Sequence, residues 1–600
     1  MCGVLAFFSY GRNGPLVDQR ELESVTKTMA LRGPDGGGVW VSSNRKIGLG
    51  HRRLSILDLS NNAQQPMTIA ARHGKEGNYH ITYNGEIYNF RALRSDLESE
   101  GVIFSTQSDT EVILRLYERF GPSMLKKLRG MYAFVIWDEC NQELFLARDP
   151  YGIKPLYYYD DGHCIRVASQ VKSLLHFQGL DTTPSPEGHV GFFLFGNIPE
   201  PHTLYKMIKA VPAGHWMRLN KDGLFSEKQY FDISKSLLDA GESVHRSYDL
   251  RELICDSLDH HFVSDVPVGL FLSGGVDSAT LAALASESRG PDLKTITLGF
   301  FEHKGSKIDE VPLACKVSNQ YSTQHHTEYI TRVDFNESLE KIFTRMDQPT
   351  IDGINTYFVS KVARSQGLKV AISGLGGDEL FGGYNTFNQI PKLVNIVRKV
   401  PFENILGKMF KVISRPIFQS FWSPKWSGVL ELGGSIGGAY LLRRGLFMPW
   451  EIEKIIEPDL AREGLLKLRP IQMLEESCSK INESKRKIAV LEALFYMRNQ
   501  LLRDSDWAGM AHSVEIRLPL VDKVLFESLA PVLMRNEGPT KFTVARTPLK
   551  PLPEEILKRE KSGFFVPINN WMSGKSGKTQ GGLRDWAKRV YQALNTVSKY

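Results

Sequence analysis

The hydrophobic pattern of the chain changes near residue 247, and this change constrains the fold more than any other feature. Before it, short apolar runs such as 4–8 and 133–138 follow one another, with few helical segments between them. Such a pattern is typical of α+β layers. After it, apolar runs at 266–272, 294–300 and 368–373 alternate with helical stretches. This alternation predicts a parallel α/β sheet.

Turn residues and helix signals divide the first part further. The other β-like runs there are 47–51, 79–83, 144–147 and 156–159. Asn84-Gly85 predicts a tight turn that closes one of these strands, and Asp161-Gly162 predicts another. Helices are expected at 90–100 and at 109–120, where Asp109 suits the N-cap position.

The length of 600 residues exceeds what one hydrophobic core usually supports. Hydrophobic residues make up 42% and charged residues 24%, so packed domains are expected rather than disorder. We predict a first domain at 2–190, a connecting segment rich in Pro, Gly and polar residues at 191–245, and a second domain at 246–575. Residues 576–600 read as a polar tail that we expect to fray.

Charge and cysteine content exclude several classes of protein. The net charge of +7 comes from 74 basic and 67 acidic residues without a long basic run, which argues against a nucleic-acid partner. Six cysteines with no C-x-x-C pair are too few for a disulfide framework. No basic signal region and no run of about 18 apolar residues occurs, so we predict a cytoplasmic chain without membrane partners.

Cys2 follows the initiator methionine, and its small side chain should permit removal of that residue. An α-amine has a pKa near 8 and can take the proton of its own thiol, so an N-terminal Cys carries both nucleophile and base. The alternative is a buried structural cysteine. Position alone does not separate the two interpretations.

Cys2 does not stand alone among the motifs of the first part. Arg32-Gly33-Pro34-Asp35, a run beginning Arg53-Leu54-Ser55-Ile56, Asn84-Gly85-Glu86 and Asp109 accompany it. As a set, over residues 2–190, these motifs resemble the glutaminase domain of class II amidotransferases, which are N-terminal-nucleophile hydrolases with an α+β sandwich.

The resemblance assigns a role to each of these residues. It implies that Cys2 attacks the side-chain amide of glutamine, while the Asn84 side chain and the Gly85 N–H form the oxyanion hole. Arg53 would pair with the α-carboxylate of glutamine, and Glu86 and Asp109 would meet its α-ammonium group. The implied glutamine-binding residues are Arg53, Leu54, Ser55, Ile56, Leu57, Asn84, Gly85, Glu86 and Asp109.

A glycine-rich loop, Ser273-Gly274-Gly275-Val276-Asp277-Ser278, lies between an apolar run and a helical stretch. Small residues let the backbone approach phosphates, and a helix N-terminus favours anions. The spacing fits neither a Walker A motif nor a dinucleotide loop. The loop resembles the pyrophosphate loop of ATP pyrophosphatases, which cleave ATP between its α and β phosphates.

A second patch, Ser373-Gly374-Leu375-Gly376-Gly377-Asp378-Glu379, also follows an apolar run. Together with a stretch at 513–522 and Lys561, it resembles the asparagine synthetases, and this resemblance covers about residues 2–570. It implies ATP and Mg²⁺ as cofactors, with Mg²⁺ on Asp277 and Asp378. Two solvated helix caps are the alternative reading of these aspartates. Lys561 would neutralise the pyrophosphate leaving group. The implied ATP-binding residues are Phe271, Ser273, Gly274, Gly275, Asp277, Ser278, Leu298, Ser373 and Gly374.

The resemblance implies a ligase that amidates a carboxylate through an acyl-adenylate, with glutamine as nitrogen donor and aspartate as the leading acceptor. One departure concerns Leu375, because asparagine synthetases usually place glutamate at this position. The same chemistry on a sugar uronate or another acid of polysaccharide biosynthesis is therefore an alternative. A non-catalytic nucleotide-binding scaffold is a further one. The sequence does not give the oligomeric state, and a homodimer is compatible with it.

Overall fold

The computed structural model describes residues 2–11, 14–72, 76–239, 248–400, 424–535, 538–559, 566–572 and 582–597. The strands of these residues form three sheets. Their bounds are β1 Gly3–Ser9, β2 Gly36–Val41, β3 Ile47–Arg53, β4 Met67–Ala70, β5 Asn78–Ile87, β6 Gly130–Asp138, β7 Glu143–Arg148, β8 Tyr157–Asp160, β9 Cys164–Ala168, β10 Ile208–Ala210, β11 His215–Asn220, β12 Phe225–Gln229, β13 Val268–Phe271, β14 Lys294–Phe300, β15 Gln324–Ile330, β16 Val370–Ile372 and β17 Glu515–Arg517.

The first two sheets form an antiparallel sandwich. Their strand orders are β10-β8-β9-β1-β3-β2 and β12-β11-β7-β6-β5-β4. Alternate residues of β1, including Val4 and Phe8, pack against Val135 and Trp137 of β6 in one buried cluster, because successive side chains of a strand point to opposite faces. Helices cover the outer faces of the sandwich, so the α+β architecture predicted for this part is confirmed.

The third sheet is parallel, with the order β15-β14-β13-β16-β17. Helices pack around it, as the alternation of strands and helices predicted. The described helices are Gln19–Thr28, Phe90–Ser99, Asp109–Phe120, Val171–Leu174, Pro186–Phe195, Ile233–Asp239, Leu250–His261, Val276–Arg289, Val311–Tyr321, Arg332–Arg345, Ile354–Ser365, Gly377–Phe381, Thr386–Val397, Val429–Leu432, Ile436–Arg444, Pro449–Ile452, Pro458–Leu468, Pro470–Cys478, Ser484–Leu491, the π-helix Glu492–Leu502, Arg503–Met510, Lys523–Leu529, Lys541–Val544, Glu554–Lys558, Ile568–Met572 and Leu583–Val597.

Two local predictions about the first part are wrong. Asn84-Gly85 is not a turn, because β5 continues through it and pairs Gly85 with Tyr132 of β6. A Cβ on Gly85 would lie 2.1 Å from the carbonyl oxygen of Met131. The glycine therefore allows the backbone of β6 to lie close to β5 at this position. The helix at 109–120 is capped by Ser108, whose side chain accepts from the Thr110 N–H, and Asp109 is its first residue.

The structure differs from the prediction of a connecting segment at 191–245 and of a polar tail at 576–600. The segment 191–245 contains β10, β11 and β12, which belong to the two antiparallel sheets. Residues 583–597 form a helix rather than a frayed end. Its Trp586 is buried and stacks on Phe343 at 5.6 Å between ring centroids. The sequence of this segment looks polar because the apolar residues of the helix are spaced one turn apart among charged ones.

Cysteines and helix lengths bear on two further expectations. The structure describes all six cysteines, and all six are free thiols. Among the described residues, no helix is both long enough and apolar enough to cross a membrane.

Candidate active sites

Cys2 lies immediately before β1 and is held at both ends of its backbone. Its N–H donates to Asn84 Oδ1 at 2.8 Å, and its carbonyl oxygen accepts from Arg32 Nε at 3.0 Å. Its Sγ lies 4.0 Å from the carbonyl oxygen of Leu54. The thiol is buried, which raises its pKa. The geometry fixes the backbone nitrogen of Cys2 beside an amide side chain.

The side-chain amide of Asn84 has one hydrogen-bonded atom and one without a partner. Its Oδ1 accepts from Cys2, while its buried Nδ2 has no hydrogen-bond partner among the described residues. A buried amide donor without a partner is costly, so an unpaired one marks a place where a ligand atom can accept. Gly85 follows in the same strand. This arrangement fits the oxyanion role implied for the pair.

Two buried carboxylates, Asp109 and Glu86, lie near the end of β5. Asp109 accepts from the Tyr83 hydroxyl at 2.8 Å and from the Ile87 N–H at 3.0 Å, and burial raises its pKa to about 6. Glu86 lies 3.4 Å from Arg517, and burial raises its pKa well above the ordinary value. Both groups could accept hydrogen bonds from an ammonium group.

The segment predicted to bind the glutamine carboxylate has contacts of its own. The terminal nitrogens of Arg53 donate to the carbonyl oxygens of Ser60 at 3.0 Å, of Leu57 at 3.3 Å and of Asp58. Its fork therefore supports the loop that follows β3. Leu54 and Ile56 are buried against the parallel sheet, in a cluster with Val370 and Met510. Ser55 donates its N–H to Asp35 at 2.9 Å.

All the predicted ATP-binding residues meet at a second place, a cavity of about 1240 Å³. It is lined by Phe271, Ser273, Gly274, Gly275, Asp277, Ser278, Leu298, Ser373 and Gly374. Because β13 and β16 are parallel neighbours, the two glycine-rich loops that follow them lie at one edge of the sheet. The first loop opens the helix Val276–Arg289, whose N-terminus faces the cavity.

The two aspartates predicted to carry Mg²⁺ converge on one cation. Lys541 Nζ pairs with Asp277 and lies 2.9 Å from Asp378 Oδ1. Two carboxylates that reach the same positive group also suit Mg²⁺ that keeps phosphate oxygens as its other ligands. Among the described residues, no group of three or more candidate ligands forms a metal cage. Lys541 was missed because its sequence neighbourhood resembles no phosphate motif.

The predicted cation Lys561 lies outside the described residues. Arg559, just before it, is described and lies against the phosphate loop. A Cβ on Gly274 would be 2.2 Å from its guanidinium, and the same arginine pairs with Glu310 at 3.2 Å. This part of the chain therefore brings positive charge to the loop.

The far wall of the cavity is aromatic and charged. Arg444 lies over the rings of Tyr384 and Tyr496, at 4.4 and 3.9 Å from their centroids, and pairs with the buried Glu492 at 2.9 Å. Tyr496 belongs to the π-helix Glu492–Leu502, a form that is frequent at functional sites. Leu375 also lines this cavity. The wall could receive a second substrate beside the nucleotide.

One helix connects the two places. Asp506 of Arg503–Met510 accepts both terminal nitrogens of Arg32 at 2.7 and 3.0 Å, and Arg32 holds the Cys2 carbonyl. Asp504, two residues earlier, lines the cavity that contains the predicted ATP-binding residues. The Cys2 site and the cavity are thus joined through a single turn of helix.

Two family models match this chain. A glutamine amidotransferase domain matches residues 1–231, and an asparagine synthase domain matches residues 249–596. Among solved structures, the glutamine phosphoribosylpyrophosphate amidotransferase of B. subtilis is 15% identical, covers 55% of this chain and 81% of that one, and has a TM-score of 0.29.

Relatives match over nearly the full length. Asparagine synthetase [glutamine-hydrolyzing] 1 of Bacillus subtilis is 33% identical over 99% of this chain and 90% of its own. Asparagine synthetase [glutamine-hydrolyzing] 3 of the same organism is 28% identical over 94% of this chain and 87% of its own. The chain therefore belongs to the glutamine-hydrolysing asparagine synthetase family of glutamine-dependent ligases.

Proposed function

We propose that this protein hydrolyses glutamine at Cys2 and uses the nitrogen to amidate a carboxylate activated by ATP, with aspartate as the acceptor. Asparagine, AMP, pyrophosphate and glutamate would be the products. The observation that carries the proposal is the hydrogen bond between the Cys2 backbone nitrogen and Asn84 Oδ1, beside the buried Asn84 Nδ2, which has no partner among the described residues. The same chain builds the cavity that contains the predicted ATP-binding residues.

In the glutaminase step, the α-amine of the processed chain takes the thiol proton and the Cys2 thiolate attacks the side-chain amide carbon of glutamine. Asn84 Nδ2 and the Gly85 N–H stabilise the oxyanion that forms. Ammonia leaves as a thioester forms, and water then releases glutamate. Asp109 and Glu86 hold the α-ammonium group of the substrate.

In the synthetase step, the acceptor carboxylate attacks the α-phosphorus of ATP, which gives an acyl-adenylate and pyrophosphate. The phosphate loop at 273–278 orients the nucleotide, while Arg559 and Lys561 bring positive charge to the departing pyrophosphate. Asp277 and Asp378 would hold Mg²⁺, which offsets phosphate charge when bound. Ammonia then displaces AMP from the acyl group.

Leu375 favours one alternative, in which the acceptor is a sugar uronate or another acid of polysaccharide biosynthesis. An apolar side chain cannot accept a proton from the attacking amine. A screen of acids for pyrophosphate release with glutamine and Mg-ATP, starting with aspartate and nucleotide-linked uronates, separates these acceptors.

The proposal predicts a division of labour between the two sites. Cys2→Ala should abolish glutamine-dependent amide formation and leave the activity with ammonium salts within about twofold of wild type, because effects at separate sites add independently. The measurement is product formation with either nitrogen source. Loss of both activities in a folded variant would refute the two-site scheme.

A further inference from the structure

The edge strand of the parallel sheet has one face turned to each of the two sites. This strand is β17, which pairs with β16 at the end of the strand order. Because successive side chains of a strand point to opposite faces, Glu515 and Arg517 face one way and Ile516 the other. Ile516 lines the cavity that contains the predicted ATP-binding residues. Arg517 therefore points away from that cavity.

Arg517 reaches a carboxylate of the glutaminase site. Its Nη2 lies 3.4 Å from Glu86 Oε1, and the two side chains are 0% and 6% exposed. Its guanidinium carbon lies 5.6 Å from the ring centroid of Tyr88, two residues further along the chain. A residue of the second domain thus contacts the segment that directly follows Asn84 and Gly85.

The Glu86 carboxylate depends on this contact. Among the described residues, Arg517 is the one group that pairs with it. Asp109 differs, because the Tyr83 hydroxyl and the Ile87 N–H of the first domain hold its carboxylate. Burial raises the pKa of Glu86, and the Arg517 guanidinium acts in the opposite direction. Arg517 therefore favours the ionised form of Glu86, which is the form that attracts an ammonium group.

The second domain holds the guanidinium of Arg517 in place. Its Nε donates to Glu515 Oε1 at 2.7 Å. Its Nη1 donates to the carbonyl oxygens of His261 at 2.9 Å and Val263 at 2.5 Å. Its Nη2 is buried and makes no hydrogen bond within the part of the chain that the structure describes. The nitrogen beside Glu86 is therefore the one whose donors are not used inside the second domain.

Backbone and side-chain contacts fix β17 against both sites. The carbonyl oxygen of Arg517 accepts from the N–H of Ser373, a predicted ATP-binding residue, at 2.9 Å. Asp522, five residues beyond Arg517, accepts from Arg129 of the first domain at 2.9 and 3.0 Å. The position of the Arg517 guanidinium relative to Glu86 is thus set by the contact between the two domains.

We infer that Arg517 is a positioning residue for glutamine hydrolysis, which orients the Glu86 carboxylate to receive the α-ammonium group of glutamine. The inference rests on the proposed function and adds a residue of the second domain to its glutaminase site. A carboxylate that is already fixed in direction loses less freedom when it binds an ammonium group than a mobile one does. The sheet whose loops carry the predicted ATP-binding residues thereby completes the glutamine site.

Arg517→Met removes the charge and keeps much of the length of the side chain. In a glutamate-release assay it should raise the KM of glutamine about 10- to 100-fold. The kcat of amide formation with ammonium salts and the KM of ATP should stay within about twofold of wild type. Arg517→Lys restores a positive charge without the planar fork, so it should raise the KM of glutamine less than Arg517→Met does.

A double-mutant cycle separates positioning from a structural role. Glu86→Gln should also raise the KM of glutamine, and the double variant should resemble Glu86→Gln alone, because Arg517 then has no carboxylate to hold. The matched control is Arg129→Met, which breaks another buried ion pair between the domains and should leave the KM of glutamine unchanged. Arg517→Lys, taken through the same cycle, gives the answer if Arg517→Met does not fold.

Each other outcome has a distinct meaning. Additive effects of the Arg517 and Glu86 substitutions, or an equal rise in the KM of glutamine with Arg129→Met, would overturn this inference alone. An unchanged KM with Glu86→Gln would overturn the role of Glu86 and this inference with it. No glutamate release by the wild-type protein would refute the proposed glutaminase step itself.

Discussion

The ion pair between Arg32 and Asp506 gives a demanding test of how the two sites are joined. Both side chains are buried, at 3% and 5% exposure, and the carboxylate accepts two hydrogen bonds from the guanidinium. Asp506→Asn keeps the shape but removes the charge, which leaves a buried guanidinium without its counter-ion. Breaking a buried pair in this way costs about 3–5 kcal/mol, because desolvation of the remaining charge is no longer offset.

The chain offers a matched control. Asp459 pairs with Arg462 on the surface, where the two side chains are 84% and 58% exposed. Exposed pairs contribute about 0–1 kcal/mol, so Asp459→Asn should change the free energy of unfolding little. The same substitution therefore has two expected costs, set by burial alone.

Urea unfolding followed by tryptophan fluorescence measures the difference, since the buried Trp507 adjoins Asp506. Glutaminase activity should fall more than ammonium-dependent amide formation, because Arg32 also holds the Cys2 carbonyl at 3.0 Å. The reasoning is refuted if Asp506→Asn and Asp459→Asn differ by less than about 1 kcal/mol, or if the two activities fall equally.

Two further predictions concern the glutaminase site. Gly85→Ala places a Cβ 2.1 Å from the Met131 carbonyl oxygen, so it should cost about 1–3 kcal/mol of stability and most of the glutaminase activity, measured by urea unfolding and glutamate release. Ammonium-dependent activity should persist, and a fully active glutaminase would contradict the close approach. In the proposed role Asp109 must be ionised to hold the α-ammonium group, and burial raises its pKa to about 6, so the KM of glutamine should rise as the pH falls through 6. Asp109→Asn should have a high KM without that pH dependence; a parallel profile would assign the titration to another group.

Local sequence was sufficient to place a motif in the fold wherever the motif directly follows its strand. The loop at 273–278 could be placed because an apolar run precedes it and a helix follows, and the structure has β13 and Val276–Arg289 there. The two glycine-rich loops meet because parallel neighbouring strands end at one edge of the sheet. The pattern of strands and helices in the sequence was thus sufficient to bring the two loops to one cavity.

Local sequence failed where a distant backbone decides the conformation. Asn-Gly ordinarily favours a two-residue turn, but at Gly85 the carbonyl oxygen of Met131 requires a residue without a Cβ inside a strand. Lys541 stands 264 residues from Asp277, and Arg32 stands 474 residues from Asp506. The sequence around one residue of each pair gives no information about the other residue, so residue spacing could not predict either ion pair.

Leu375 shows both what the local motif predicts and what distant residues add to the same cavity. The family resemblance predicts a carboxylate at this position, and its absence favours a different acceptor. In the folded chain Leu375 lines a cavity that also contains the carboxylates of Asp352 and Asp504. Asp504 is distant from the second glycine-rich patch in sequence, whereas Asp352 precedes it by 21 residues, and packing brings both to the same cavity. A leucine where glutamate is expected therefore removes a possible base from this position, while two other carboxylates still line the cavity. The sequence motif that carries Leu375 gives no sign of either of them.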